Sequence, residues 1–248
     1  MSDDNEEEWR DCIELEERTL TFGTFTFSIL QMEELPLAAS LFMLEEMSRT
    51  QSEISGQRIW AGSHLMAMYL IQNPKIVKDQ SILELGAGIG CCSLVCSRIG
   101  VSRLLSSDGD KAVVQLLETN LKRNKCDGNS TCLLYGEVTS FESVEKEFGH
   151  DKFQKIVAGD VLYKRELLDP FFTTLHHFLS SEPSSSAYVC HIPRADVGHE
   201  VVLECAKKHH FKVQIVVDTF QSEKGYPIEC PPEDVLRAKL YCFTRKTS

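Results

Sequence analysis

The sequence predicts an α/β fold: a seven-stranded, mostly parallel sheet with an antiparallel last strand, helices on both faces and a small N-terminal β-hairpin extension. Three observations predict it. From residue 81, short apolar runs alternate with segments whose apolar residues recur at helical spacing, the pattern of parallel strands joined by crossover helices. A glycine-rich turn, Gly86-Ala87-Gly88-Ile89-Gly90, stands between the first run and its helix. The last two runs are joined by a loop without helical pattern, which suits an antiparallel pair better than another crossover.

Residues 1–18 hold nine acids and two arginines and are expected to form a solvated, mobile leader. In residues 19–29, Leu20 and Phe22 alternate with Thr, Gly23 interrupts, and Phe25, Phe27 and Ile29 alternate again. Period two about a central Gly predicts a β-hairpin or a bent strand, within an extension spanning 19–50. Residues 35–48 read equally as a short helix or a loop, and 51–248 make the main domain. Ile59–Gln72 is helical in composition and stops before Pro74.

Strands are expected over Ser81–Leu85, Ser102–Ser107, Thr131–Tyr135, Phe153–Ala158, Ala187–Ile192, Phe211–Asp218 and Ala238–Thr244. The first crossover helix is Ile89–Ile99, ended by Gly100. Asp110 caps the next, with Val113, Leu116, Leu117 and Leu121 on one face. A third starts at Pro170 with Asp169 as cap and Phe171, Leu175 and Phe178 on one side. A fourth is expected from a cap at Asp196 to about His209. Ser180–Ser186 and Glu223–Asp234, the latter with three prolines, are expected loops.

The 248 residues suit one large α/β domain with an appendage. A chain 42% hydrophobic and 25% charged is not wholly disordered, collagen-like or a disulfide scaffold. The formal charge of −11 argues against nucleic acid held by general electrostatics. The N-terminus lacks the basic start and apolar core of a signal peptide. The longest apolar stretches, Pro36–Leu44 and Leu65–Ile71, fall short of the roughly 18–20 residues that cross a bilayer. Ten cysteines without a CxxC pair predict reduced thiols and a cytoplasmic or nuclear location. Cys92 and Cys96, four apart on a helix, read as buried small apolar residues. His176-His177 and His209-His210 read as helix-surface or helix-end residues, and no spacing signals a metal.

Glycines in Glu84–Gly90 let backbone approach a ligand, and the helix that follows offers free N–H groups. Such a turn alone fits a methyl-donor loop, a dinucleotide fingerprint or a structural turn. Cys91 stands where the dinucleotide pattern wants Gly or Ala. Glu84 lies two residues before the first glycine. Asp108 ends the second strand, 20 residues past Gly88, where a ribose-binding acid belongs for either cofactor, and Asp110 competes for that place. No Tyr-x-x-x-Lys is present to serve hydride chemistry.

Glu84–Gly90, Asp108 and the seven-strand order resemble a Rossmann-like class I, seven-β-strand S-adenosylmethionine-dependent methyltransferase. Over about residues 50–245 the chain more narrowly resembles the family 16 protein methyltransferases, mostly lysine methyltransferases. Gly56-Gln-Arg-Ile-Trp60 ahead of an apolar helix is similar to the family's Trp-containing segment. Asp160-Val161-Leu162-Tyr163 matches its Asp/Glu-x-x-Tyr/Phe motif after the fourth strand, and the 19–31 stretch also has counterparts. Tyr135-Gly136 departs from the family's Trp-Gly but keeps a ring.

The resemblance implies S-adenosylmethionine as cofactor, 51–248 as the methyltransferase domain and the amine of a protein lysine as acceptor. It implies Gly86, Ala87 and Gly88 against the methionine portion, Asp108 on the ribose hydroxyls, and Trp60 and Tyr135 packed around the cofactor, with Glu84 and Ala158 at the same site. Asp160 and Tyr163 are the candidate catalytic residues, Asp160 positioning the amine and Tyr163 walling its channel. A carboxylate suits a cationic amine, and the Asn-Pro-Pro-Tyr of many nucleobase and glutamine-amide enzymes is absent. The expected partner is a protein substrate bearing the lysine, met by the leader, the 19–50 segment and the 193–200 and 221–236 loops. No nucleic acid, membrane or metal is expected, and a monomer is the default. A small-molecule methyltransferase on the same fold and a catalytically silent binding module are the alternative readings; cofactor binding separates the second.

Overall fold

The computed structural model describes residues 14–33, 55–194, 196–220 and 230–246. The leader as far as residue 13, the 35–48 segment and residues 223–229 lie outside the described residues. Strands β1 (Leu15–Phe22) and β2 (Phe25–Met32) form the expected antiparallel hairpin, turning at Gly23 with φ +57°. β1 begins inside the segment expected as leader, where two of its acids find partners on β2 and beyond. Glu16 accepts from Gln31 Nε2 at 2.7 Å, and Glu17 accepts from Ser28 Oγ at 2.7 Å and pairs with Arg123 at 2.7 Å.

Helix α1 (Ala61–Gln72) leads into the main sheet. Its strands are β3 (Ser81–Leu85), β4 (Arg103–Asp108), β5 (Asn129–Cys132), β6 (Lys155–Gly159), β7 (Ser186–His191), β8 (Phe211–Val217) and β9 (Lys239–Arg245). Their order is β5-β4-β3-β6-β7-β9-β8; the first five run parallel, and β9 lies antiparallel between β7 and β8. The crossovers carry α2 (Cys91–Ile99), α3 (Lys111–Arg123), α4 (Val138–Phe148), α5 (Leu168–Phe178) and α6 (His199–Lys208), and the short α7 (Pro232–Arg237) precedes β9. One apolar core lies under the hairpin and α1–α3, the other under α4–α6. The chain moves outward from β3 to β5 and then returns to place β6 on the other side of β3. That reversal opens a crevice beyond the carboxyl ends of β3 and β6, the usual ligand position in such sheets. Among the described residues, no helix is long and apolar enough to cross a membrane.

Several expected boundaries move, and α4 lies in a stretch where no helix was expected. The ladder between β4 and β5 ends at Asp108↔Cys132, where β4 itself ends, so Tyr135 stands beyond the sheet. α5 starts at Leu168, and Asp169 does not cap it. Its carboxylate instead accepts from Lys208 and His209, each at 2.7 Å, which hold it down to about 2 and tie α5 to the end of α6. Asp196 does not cap α6, which starts at His199 after Gly198; a tight turn closed by Arg194 and Val197 takes up the chain before it. The expected loop through Asp234 gives way to α7. The Asp110 cap is present: its Oδ1 accepts from the Ala112 and Val113 N–H groups at 2.7 and 3.3 Å.

The hairpin is fastened by two asparagines one turn apart, Asn120 in α3 and Asn124 at its C-terminal cap. Asn120 accepts from Leu30 N at 2.7 Å and donates to Leu30 O at 2.9 Å and Ile89 O at 3.1 Å. Asn124 accepts from Ser28 N at 3.0 Å and donates to Ser28 O at 2.7 Å. Each side-chain amide thus serves the β2 edge as a neighbouring strand would, satisfying backbone groups that burial would otherwise leave costly.

Candidate active site

The loop after β3 turns back through Gly86, Gly88 and Gly90, with φ of +63°, +53° and +94°. A Cβ on Gly86 would stand 2.6 Å from Val161 Cγ1 and 2.8 Å from the Tyr135 hydroxyl; one on Gly88 would stand 2.9 Å from Gly56 O. Positive φ and close backbone approach together require glycine here. Ala87 N–H donates to Ser107 O at 2.8 Å, which fixes the loop to the end of β4. Gly90 is the cap residue of α2, so the helix presents its first N–H groups beside the loop.

Asp108 ends β4 and turns toward this loop. Its Oδ2 accepts from Gly88 N–H at 2.9 Å and its Oδ1 from Asp110 N–H at 3.3 Å. Burial raises its pKa, which these backbone donors oppose. The two candidate acids therefore occupy different posts: Asp108 faces the glycine loop, and Asp110 caps α3.

Glu84 and Ala158 do not line the site as the sequence reading has it. The Glu84 carboxylate is buried beneath the loop, where it accepts from Ser93 Oγ, itself in contact with Ser106 Oγ. Burial raises its pKa to about 7. Ala158 is fully buried inside β6, beside Val189 of β7, and contributes to the core. In a parallel strand covered on both faces, alternate side chains enter the two cores, so a place in the motif's sequence is not a place on its surface.

Beyond β6 the chain reverses at Asp160, a non-glycine residue with φ +61°. Asp160 N–H donates to Cys190 O at 2.9 Å. Its carboxylate Oδ2 accepts from Arg194 Nη2 at 2.8 Å and, at a longer 3.4 Å, from Gly62 N–H in the first turn of α1. The close approach of α1 depends on small residues: a Cβ on Gly62 would meet Asp160 Cβ at 2.7 Å, and one on Gly159 would meet Ser63 Cα at 2.6 Å. Burial pushes the Asp160 carboxyl up to about 6, against the pull of Arg194.

The aromatic residues surround these groups. Trp60 precedes α1 and is 44% exposed. Tyr163, three residues past Asp160, is 36% exposed, with Lys164 Nζ 5.6 Å from its ring centre. The Tyr135 ring meets Phe171 edge-on at 5.5 Å, and burial, then neighbouring Asp108, hold its hydroxyl protonated far above the usual range. Gly86, Gly88, Asp108, Tyr135 and Asp160 thus gather at the carboxyl ends of β3, β4 and β6, with Trp60 and Tyr163 exposed on the elements that adjoin Asp160.

Sequence reading missed Val161, which covers Gly86, and the Arg194–Asp234 pair behind Asp160, with Arg194 Nη1 donating to Asp234 Oδ1 at 3.1 Å. The loops carrying Arg194 and Asp234 are recognisable in the sequence, but their pairing depends on β9 inserting beside β7. A surface groove elsewhere, between α4 and α5, borders none of the predicted site residues. Its Glu145 is already satisfied by Lys152 and His177.

Comparison with known proteins agrees with this geometry. The protein-lysine N-methyltransferase EFM3 of Chaetomium thermophilum is 26% identical over 65% of this chain and 50% of its own length. The electron transfer flavoprotein beta subunit lysine methyltransferase of Homo sapiens is 29% identical over 48% of this chain and 41% of its own. The chain thus spans about half the length of the curated relatives it matches or less. The T. thermophilus 16S rRNA N2 G1207 methyltransferase, solved with AdoMet and guanosine, shares the fold with a TM-score of 0.57 at 14% identity, over 94% of this chain and 51% of that one. The family model described as lysine methyltransferase matches residues 41–209, more than half of the sequence and both motifs of the site. The chain belongs to the lysine methyltransferase family.

Proposed function

We propose that this chain is an S-adenosylmethionine-dependent protein-lysine N-methyltransferase, which methylates the side-chain amine of a lysine in a protein substrate. The observation that carries this reading is the contact of Val161, the residue after Asp160, with the glycine loop at Gly86: the acceptor-side carboxylate and the loop share one wall.

The residues present fit the cofactor. The loop's glycines leave a cradle that a Cβ would fill, and Asp108 is anchored at the end of β4 by Gly88 N–H with acceptor capacity to spare. Gly86, Ala87 and Gly88 would hold the methionine portion and Asp108 the ribose hydroxyls. Trp60 and Tyr135 would set aromatic faces near a positive sulfonium, an attractive arrangement. When bound, S-adenosylmethionine supplies an electrophilic methyl carbon whose bond to sulfur breaks as the acceptor nitrogen bonds to it.

The chain itself contributes alignment and control of the acceptor's proton. A free lysine has a pKa of about 10.4, so neutralising it at pH 7 costs roughly 4.6 kcal/mol. Apolar walls such as Val161 and the Tyr163 ring lower that cost by disfavouring the charged form. Asp160, with a carboxyl near 6, is mostly ionised at neutral pH and accepts a hydrogen bond from the amine. It is too weak a base to take the ammonium proton, which leaves to solvent. The relatives' printed names support a protein acceptor. Ten cysteines without a CxxC pair support a reducing compartment, the cytoplasm or nucleus.

Calorimetric titration with S-adenosylhomocysteine, with NAD as control, tests the cofactor. Saturable micromolar binding of the first alone is expected; its absence in folded protein would overturn the reading. Incubating the enzyme and labelled donor with a cell lysate tests the acceptor, label on lysine being the expected result and label confined to small molecules the contrary one.

A further inference from the structure

We infer that Arg194 is a positioning residue which, clamped by Asp234, turns the Asp160 carboxylate so that Oδ2 is committed to the fold and Oδ1 is left for the acceptor amine. The inference rests on the reading above that Asp160 faces that amine.

Four parts of the chain, distant in sequence, converge here. Arg194 sits in a tight turn after β7, closed by Arg194 N–H to Val197 O at 3.2 Å and Val197 N–H to Arg194 O at 2.7 Å. From it, Nη2 reaches Asp160 Oδ2 at 2.8 Å and Nη1 reaches Asp234 Oδ1 at 3.1 Å. Gly62 N–H, from α1, addresses the same Oδ2. Among the described residues, no hydrogen bond reaches Asp160 Oδ1. The Asp160 side chain is only 3% exposed against 26% for Arg194 and 18% for Asp234, so this is an enclosed cluster rather than a surface pair. A planar guanidinium with donors on separate nitrogens spans both carboxylates at fixed angles; a lysine, whose three donors share one rotatable nitrogen, would not fix those angles.

The chemistry explains the arrangement. An uncompensated buried carboxylate would hold an incoming lysine as ammonium, the form that cannot attack. A permanently charged guanidinium on the far side offsets that field and leaves one oxygen as a directional acceptor. Among the described residues, the charged groups facing Asp160 are Arg194 and Asp234. The Cys190 thiol of β7 is the titratable neighbour, and α1 presents the Gly62 N–H. Removing Arg194 therefore both frees the carboxylate's rotamer and makes it hold its proton to higher pH.

The decisive experiment is a carboxyl-13C NMR titration of Asp160 in the full chain, assigned with Asp160→Asn, in wild type and Arg194→Met. Arg194→Met is expected to move the Asp160 titration up by a pH unit or more. Affinity for S-adenosylhomocysteine is expected to stay within threefold. Arg194→Lys, charged but without the rigid fork, is expected to move it by less. Should Arg194→Met not fold, Arg194→Gln removes the same charge. An unmoved titration in a folded neutral variant overturns the proposal, whatever the enzyme's activity. In lysate labelling, Arg194→Met is expected to lose tenfold or more in rate and to shift the acid limb of the pH profile upward, with partial rescue by Arg194→Lys. Wild-type protein that labels no lysine overturns the functional reading instead, so the two failures are distinct.

Discussion

The Gly88 backbone N–H donates to the Asp108 carboxylate at 2.9 Å, so the glycine loop and the acid at the end of β4 form one unit. Asp110, two residues on, spends its carboxylate on the first turn of α3. Asp108→Ala is therefore expected to weaken S-adenosylhomocysteine binding about 10- to 100-fold, the worth of one or two hydrogen bonds to a charged group. Asp110→Ala is expected to cost about 1 kcal/mol of stability as a lost cap and to leave affinity nearly unchanged. Calorimetry and urea unfolding on both variants read the two effects separately.

Gly86→Ala is expected to impair both folding and binding. Its φ of +63° strains any side chain, and the new methyl would overlap Val161 Cγ1. A stability loss of about 1–3 kcal/mol is expected, with affinity at least tenfold weaker. Gly100→Ala is the control. It carries a φ of +94° but has open space around it, so it is expected to lose stability and keep its affinity.

Glu84 makes stability depend on pH in the opposite sense to a salt-bridged acid. Its folded pKa, about 7, lies above the unfolded value, so the native state binds its proton more tightly. The contribution is fully present below about pH 4.5, declines as pH rises, and is lost once pH passes about 7. Glu84→Gln is expected to flatten this decline between pH 5 and 8 in thermal unfolding. An unchanged slope would contradict the assignment.

Asn120→Ala is expected to loosen the hairpin. It leaves the Leu30 N–H and carbonyl without their partner, at a cost of about 2–3 kcal/mol. Asn124→Ala, serving Ser28, is expected to cost less because its site is partly hydrated. Hydrogen exchange over residues 15–32 checks this: protection is expected to fall there and to persist in β3 and β6.

Much of this was legible along the chain. Alternating apolar runs gave the strands because a sheet covered on both faces needs them. Gly86, Gly88 and Gly90 gave the loop because a positive φ with neighbouring atoms pressed against each Cα leaves no room for a Cβ, and Asp110 gave a cap because capping is decided within three residues. Gly23 between two period-two runs pointed to a hairpin or a bent strand, and the pairing of β1 with β2 decides for the hairpin. Local signals failed where a distant partner wins. Asp169 looks like a cap but is claimed by Lys208 and His209, and Glu84 looks like a site residue but turns inward to Ser93. Tyr135 reads as strand, yet β4 ends before it. Asn120 and Asn124 carry no mark of binding a hairpin 90 residues away. The sequence by itself determined the succession of the sheet's strands, the loop and the motif after β6, since each depends on near neighbours, but not α4 or α7, which it left without a helix. Only the tertiary structure decided which way each carboxylate faces and that Arg194 and Asp234 stand behind Asp160. Those contacts exist only once β9 is inserted between β7 and β8 and α1 has closed over Gly159.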